Sequence, residues 1–444
     1  MKRSVRAFLL PAATAGVVGI SSAYAGDLQF NPRVQLSAGY DDNPTLAAGN
    51  QNAAPGTFNT RQPSAEGMAD AKFEFRDLGP SSDMRITPEV KGVYYPDHSN
   101  LDSNGEFLYL VGTANGPRYQ AGVFGYVSSQ LLFKDYLPTA ALGTGLGTTE
   151  PGATIGNLTN IRQTSEELSP GWSIQYTPRV KLSVDVNYLN SSYNHQFNGG
   201  YVDFRDVGGD GGVMFNVIPN GSILFQVLGS DFRPHDGLET NSVGFRAEWD
   251  GKYSATKEYY ARIGVDRSSF TAVGAGLPNT TTTTVNGVTT TTVTPAPTHI
   301  PSATSISAGL GTHWTFQVTE VFVDLTRNVS PTGIGYSVVE SSLRLRYAWR
   351  VTPKFATFVG ARAIDDQAFA GVGANLPTQK YAFATAGFEW RWLRSWSVIG
   401  TYDFAYRDYV QANIGALAHS NTVMLSLVYE PHRPVDSAAI TVGY

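Results

Sequence analysis

The chain has no cysteine among its 444 residues. A chain destined for an oxidising compartment therefore draws its stability from burial, backbone pairing or a membrane, not from disulfides. Charged residues are scarce, at 16%. No basic stripe exists, which argues against a nucleic-acid partner. After the first 25 residues there is no apolar run of about 20, so no helix of the mature chain is long and greasy enough to cross a bilayer. Catalytic signatures are missing too: there is no G-x-S-x-G, no H-E-x-x-H and no P-loop. The seven histidines (His98, His195, His235, His299, His313, His419, His432) are scattered, mostly in expected loops. His235-Asp236 reads as a solvated dipeptide. The reading is of a non-enzyme with no cofactor and no metal.

What is present begins with Met1–Arg6, a short basic segment, then an apolar stretch from Phe8 to Gly19 and Ala23-Tyr24-Ala25 as a small-x-small site. This order is that of a secretory signal peptide spanning 1–25. Pro11 and the shortness of the run disfavour an anchor. Removing these residues takes away Lys2, Arg3 and Arg6 and no acid, so the formal charge moves from −5 to −8.

The mature chain is rich in Gly (46), Tyr (23) and Phe (23), and its apolar residues alternate. Ser341–Arg362 shows the pattern: Leu343, Leu345, Tyr347 and Trp349 share one face of a strand, Arg344 and Arg346 the other, and Val351-Thr352-Pro353-Lys354 turns the chain back. Period two is a strand's signature. The same alternation recurs along the chain. Connectors alternate as well, short ones such as 115–117, 177–179 and 393–395 with longer ones such as 42–66, 131–163, 233–240, 270–302, 329–336 and 410–420. Eight short and nine long connectors give 18 strands, with 16 as the lower bound. This organisation predicts an all-β fold, a transmembrane antiparallel up-and-down barrel over residues 26–430, with short turns in the periplasm and long loops outside. A closed barrel pairs every backbone polar group, as hydrocarbon demands. Residues 431–444 are either a tail or a final strand ending in the aromatic Tyr444. Tyr94, Tyr95, Tyr188, Trp249, Tyr347, Trp349, Trp390, Trp392, Trp396, Tyr402 and Tyr406 are expected in interfacial girdles.

Gly39-Tyr40-Asp41-Asp42-Asn43-Pro44, directly after the first strand, resembles a feature of a family of outer-membrane β-barrel porins associated with exopolysaccharide production and export. The resemblance implies a barrel over nearly all of the mature chain, a Gram-negative outer-membrane location, and partners in outer-membrane lipid, lipopolysaccharide and the barrel-assembly machinery. A polysaccharide substrate and periplasmic export proteins are the finer implication.

The inward-facing series is expected to carry Lys72, Glu74, Arg76, Lys181, Asp185, Arg246, Glu248, Arg262, Asp266, Asp324, Arg344, Arg346, Arg362, Glu389, Arg391, Asp403 and Arg407. Rings of charge select what enters a pore; Arg–carboxylate pairs also brace a barrel wall. Both roles stand at this stage. Asp41-Asp42-Asn43 and Asp365-Asp366 are expected at the outer rim, either as oxygen ligands for Ca²⁺ or as strand ends in water. Leu131–Gln163 and the Thr-rich Thr271–Pro301 are the expected plugs or lids, the latter as an exposed low-complexity loop. A channel for polar solutes is the first reading, a surface adhesion barrel acting through the Thr-rich loop the second, and a barrel enzyme the third.

Overall fold

A computed structural model describes residues 27–44, 46, 63–131, 161–194, 201–235, 237–273, 279–285, 288–294, 300–333, 335–369, 378–411 and 414–431. The strands are β1 (Asp27–Asp41), β2 (Ser64–Leu78), β3 (Ser82–Tyr94), β4 (Ser103–Asn115), β5 (Tyr119–Leu131), β6 (Arg162–Thr177), β7 (Val180–Tyr193), β8 (Phe204–Ile218), β9 (Gly221–Pro234) and β10 (Gly237–Ser254). They continue as β11 (Lys257–Val273), β12 (Asn279–Val285), β13 (Val288–Thr294), β14 (Ile300–Thr315), β15 (Thr319–Pro331), β16 (Ser337–Thr352), β17 (Phe355–Gln367), β18 (Thr378–Leu393), β19 (Trp396–Gln411) and β20 (Ile414–Tyr429). All except β12 and β13 form one 18-stranded antiparallel sheet. β1 pairs with β2 on one side and with β20 on the other, from Val34↔Tyr429 to Asp41↔Thr422, and so closes the barrel.

Because directly paired residues share a face, the register fixes which side chains line the interior. Leu36, Val90, Val184, Val243, Ile263, Leu310, Val359 and Leu425 point outward, each more than half exposed. An apolar belt around a whole barrel has no place in water and fits hydrocarbon. All seven tryptophans (Trp172, Trp249, Trp314, Trp349, Trp390, Trp392, Trp396) lie on outward positions close to the short turns. They form a girdle at one interface only. Tyr40, Tyr94 and Tyr406 supply aromatic rings at the other end. Tyr95 departs from the expectation: it is 1% exposed and packs with Val93 and Leu101, because alternation from the outward Tyr94 puts it on the inward side with Val93.

Three further expectations change. Connectors near 233–240 and 410–420 are short, since β9, β10, β19 and β20 run on almost to each other; strands extend past the apolar belt. Within Thr271–Pro301, β12 and β13 pair as a separate two-stranded sheet, from Asn279↔Thr294 to Val285↔Val288, while 271–273 and 300–301 belong to β11 and β14. The ring closes through β20, so a final strand from 431–444 is not needed for closure. Residues 1–25, 132–160 and 432–444 lie outside the described residues.

Candidate channel lumen and its constriction

The paired registers place Lys72, Glu74 and Arg76 on the interior face of β2, Lys181 and Asp185 on β7, Arg246 and Glu248 on β10, and Arg262 and Asp266 on β11. They place Asp324 on the interior face of β15, Arg344 and Arg346 on β16, Arg362 on β17, Glu389 and Arg391 on β18, and Asp403 and Arg407 on β19.

These groups differ in what they hold. Arg76 donates two 2.8 Å hydrogen bonds to Asp83, which also accepts from Arg85. Lys72 Nζ stands 3.4 Å from Glu89 and over the Tyr109 ring. Glu74 accepts from Asn31 at 3.0 Å. Lys181 reaches Gln120 at 3.3 Å, and Arg391 reaches Glu389 at 3.3 Å. Arg344 is the most enclosed of the inward arginines: its side chain and that of Asp324 are 4% and 0% exposed. Arg344 Nε donates to Asp324 Oδ2 at 3.0 Å, Nη2 donates to the same oxygen, and the Tyr260 hydroxyl donates to Oδ1. Arg262 lies against the Tyr260 ring and donates to Asn328 at 3.3 Å. By contrast, Arg246 makes no hydrogen bond or ion pair among the described residues, and its Nε is unpartnered.

The charges are also sorted around the ring. β6, β7 and β8 turn Glu167, Asp185, Asp206 and Asp210 inward. Nine strands away, half-way round the 18-stranded ring, β17, β18 and β19 turn Arg362, Arg391 and Arg407 inward, beside Arg344 and Arg346 of β16. An acidic wall thus faces one that carries five arginines, although Glu340, Asp366, Glu389 and Asp403 also lie on the latter and offset much of its charge.

The narrowing element is the connection between β15 and β16. Gly333 O accepts from Val202 N at 2.7 Å, and Gly335 O accepts from Leu238 N at 2.8 Å, so this loop leans across the mouth to the approaches of β8 and β10. Gly335 has φ 86° and Gly237 has φ 123°. A Cβ on Gly237 would lie 2.2 Å from Gly335 O. Both glycines are required, one by conformation and the other also by close approach. Tyr336, Val338 and Val339 then pack with Leu238, Phe270 and Phe369. Below this loop is a cavity of about 390 Å³ lined by Glu167, Asp185, Asp206, Asp210, Arg246 and Asp266 on one side and Asn328–Pro331 on the other.

Sequence reasoning named neither this loop nor Glu167, Asp206 and Asp210. The glycines of β8 (Gly208, Gly209, Gly211, Gly212) blur its alternation, yet Val207, Val213 and Phe215 mark the outward positions and leave Asp206 and Asp210 inward. Of the two expected plugs, 132–160 lies outside the described residues, and β12–β13 does not pair with the barrel sheet.

The rim acids are also placed differently from either expectation. Asp41 is fully buried: its carboxylate accepts from Asn43 N (2.8 Å), Ser420 Oγ (2.6 Å) and Thr422 Oγ1 (3.0 Å). Asp42 accepts from Asn421 N and Nδ2, both at 2.7 Å, and Asn43 Nδ2 donates to His419 O. The motif clasps β1 to β20 at the seam. Asp365 and Asp366 sit on opposite faces of β17, outward and inward, so their side chains do not converge on one site. Among the described residues no group of three or more His, Cys, Asp and Glu is arranged to hold a metal ion.

No family model and no curated protein matches the sequence. Solved structures with a related outline include the Pseudomonas aeruginosa protein OccK2 (OpdF) in complex with glucuronate, at 11% identity over 91% of this chain and 98% of that one, TM-score 0.42. OccAB3 of Acinetobacter baumannii matches at 10% identity over 90% and 99%, TM-score 0.40. The ferric-catecholate receptor Fiu of Escherichia coli matches at 8% over 92% and 82%, TM-score 0.41.

Proposed function

We propose that the protein is an outer-membrane channel of the porin type, passing small polar solutes through a charged, loop-narrowed lumen. The observation that carries this is the pairing of an apolar outer belt with an interior whose acidic and arginine-rich walls face each other across the barrel. Opposed walls of charge in a low-dielectric mouth create a transverse field. Solutes carrying separated charges align in that field, and rings of fixed charge set which ions enter. Arg246 supports the reading, because it lines the cavity with no hydrogen-bond or ion-pair partner among the described residues. The short turns would face the periplasm and the long loops the exterior.

Export of a polysaccharide is the finer reading. It rests on the resemblance of Gly39–Pro44, whose acidic side chains are engaged in the seam. Adhesion through the threonine hairpin is the alternative, favoured by the separation of β12–β13 from the barrel sheet.

Conductance of the purified barrel in planar bilayers tests the channel. Stepwise conductance with uptake of a zwitterionic amino acid exceeding that of a neutral solute of equal size is expected. Absence of conductance, in the full chain and in a variant lacking 274–299, would sink the proposal.

A further inference from the structure

The outward face of the barrel is not uniformly smooth. Between β14 and β19, towards the long-loop end, it holds a groove of about 610 Å³. Its floor is apolar: Ala308, Leu310, Leu325, Leu343, Ala363 and Ala382. Paired positions carry a polar row along its upper edge, Arg327↔Ser341, Ser341↔Asp365, Asp365↔Lys380 and Lys380↔Asp408. Arg327 Nη1 donates to Ser341 Oγ at 2.7 Å. Lys380 is exposed, and its ammonium has no hydrogen-bond or ion-pair partner among the described residues.

The height of this row can be measured on β16. From Trp349 in the tryptophan girdle to Ser341 is eight residues. That is about 27 Å along a strand, or about 20 Å along the membrane normal at the usual tilt. An outer-membrane barrel's apolar band is about 25 Å tall. Arg327 and Lys380 therefore stand where the outer-leaflet headgroups begin, and the groove floor lies just below, among acyl chains. Arg327 and Lys380 are three strand spacings apart, about 14 Å, a span comparable with a disaccharide.

We infer that this groove is a binding site for a phosphorylated glycolipid of the outer leaflet, the lipid A portion of lipopolysaccharide. Acyl chains lie on the alanine and leucine floor, and Arg327 and Lys380 meet the phosphates at the two ends of the sugar. Point charges of this kind attract anionic headgroups at the interface. Asp365, which accepts from Gln367 Nε2 at 2.7 Å, lies between the two cations, and Asp408 lies beside Lys380. A divalent cation bridging carboxylate and phosphate oxygens offsets their repulsion, so binding strengthens in Mg²⁺ or Ca²⁺. The inference rests on the outer-membrane placement proposed above, but not on channel activity.

The test is native mass spectrometry of the whole barrel in detergent, titrated with diphosphorylated lipid A, its phosphate-free form and phosphatidylglycerol. The wild type is expected to retain the diphosphorylated lipid and to bind the other two weakly. Arg327→Gln with Lys380→Gln should weaken retention about thirtyfold, the loss of two interfacial cations. Ala382→Phe keeps both cations and an apolar lipid face, and should also displace the lipid by filling the floor. Equal retention of all three lipids, or unchanged retention in both variants, would overturn the inference. So would a lipid-free oligomer that cross-links through position 363, which would make the groove a contact between copies. Bilayer conductance of the same variants separates the two proposals. Lost lipid retention with normal conductance is the expected pattern. No conductance in any form, with lipid retained, would reject only the channel.

Discussion

Replacing Arg344 by Ala should destabilise the barrel without changing which ions pass through it. Arg344 and Asp324 are almost wholly enclosed, at 4% and 0% exposure. Asp324 Oδ2 accepts from Arg344, and Oδ1 from the Tyr260 hydroxyl. Removing the guanidinium leaves a buried carboxylate with only its tyrosine donor. Breaking a buried pair by deleting one partner costs about 3–5 kcal/mol. Deleting both charges, as Arg344→Met with Asp324→Leu, should restore stability, since apolar replacements of buried pairs are neutral or stabilising by about 1–4 kcal/mol. Urea unfolding in liposomes followed by tryptophan fluorescence measures this, because all seven tryptophans sit on the lipid-facing girdle and report its loss. Reversal potentials in a salt gradient measure selectivity on the same samples. The reasoning fails if the single variant keeps its stability within about 0.5 kcal/mol. It also fails if its selectivity shifts as far as that of a variant at a cavity-lining charge.

Arg246→Gln should shift the reversal potential toward cations more than Arg344→Ala does, and Arg346→Glu should move it the same way; unchanged ion preference in both would make the luminal arginines purely structural. Gly237→Val places a Cβ 2.2 Å from Gly335 O at a φ of 123°, which costs about 1–3 kcal/mol in strain. It should free the β15–β16 loop and raise single-channel conductance, and an unaltered conductance would show that this loop does not narrow the path. Deleting 274–299 should leave conductance intact, because β12–β13 is not paired to the barrel; loss of surface binding in that variant would support adhesion. Asp41→Ala removes an acceptor of three hydrogen bonds at the seam. It should cost about 3 kcal/mol, seen as a lower temperature for the heat-induced mobility shift in gels.

The barrel was legible because period two survives in single strands. Leu343 to Trp349 against Arg344 and Arg346 needs no tertiary information to assign two faces. The inward list follows from the same parity. What parity does not carry is depth or partnership. Arg344 and Arg246 look alike in sequence, both on the inward face of an apolar-alternating strand. Only the register, which sets Asp324 opposite Arg344 and Gly264 opposite Arg246, tells a braced cation from a displayed one. The constriction was hidden for a different reason. The connector near 329–336, with Gly333 and Gly335, reads as one more of the longer loops, and its docking partner Gly237 is remote in the chain. The rim motif was visible as a motif, but its acids read as strand ends in water or as cation ligands, because Ser420, Asn421 and Thr422, which hold them, are remote in the chain.

Whether an inward charge acts on a passing solute depends on what it already holds. Arg76 with Asp83, Arg391 with Glu389 and Arg344 with Asp324 are paired charges whose fields largely cancel beyond a few ångströms. Arg246 differs in kind: it has no hydrogen-bond or ion-pair partner among the described residues, and it lines a confined cavity on the same side as Asp185 and Asp210, facing Asn328–Pro331. A charge in such surroundings is screened less than one in open water. The pairs accordingly stiffen the barrel wall, while the few displayed groups beneath the β15–β16 loop would set the potential a solute meets in the proposed channel. On the channel proposed above, selectivity would therefore be concentrated at one level, just under the loop, and not spread along the whole charged lining.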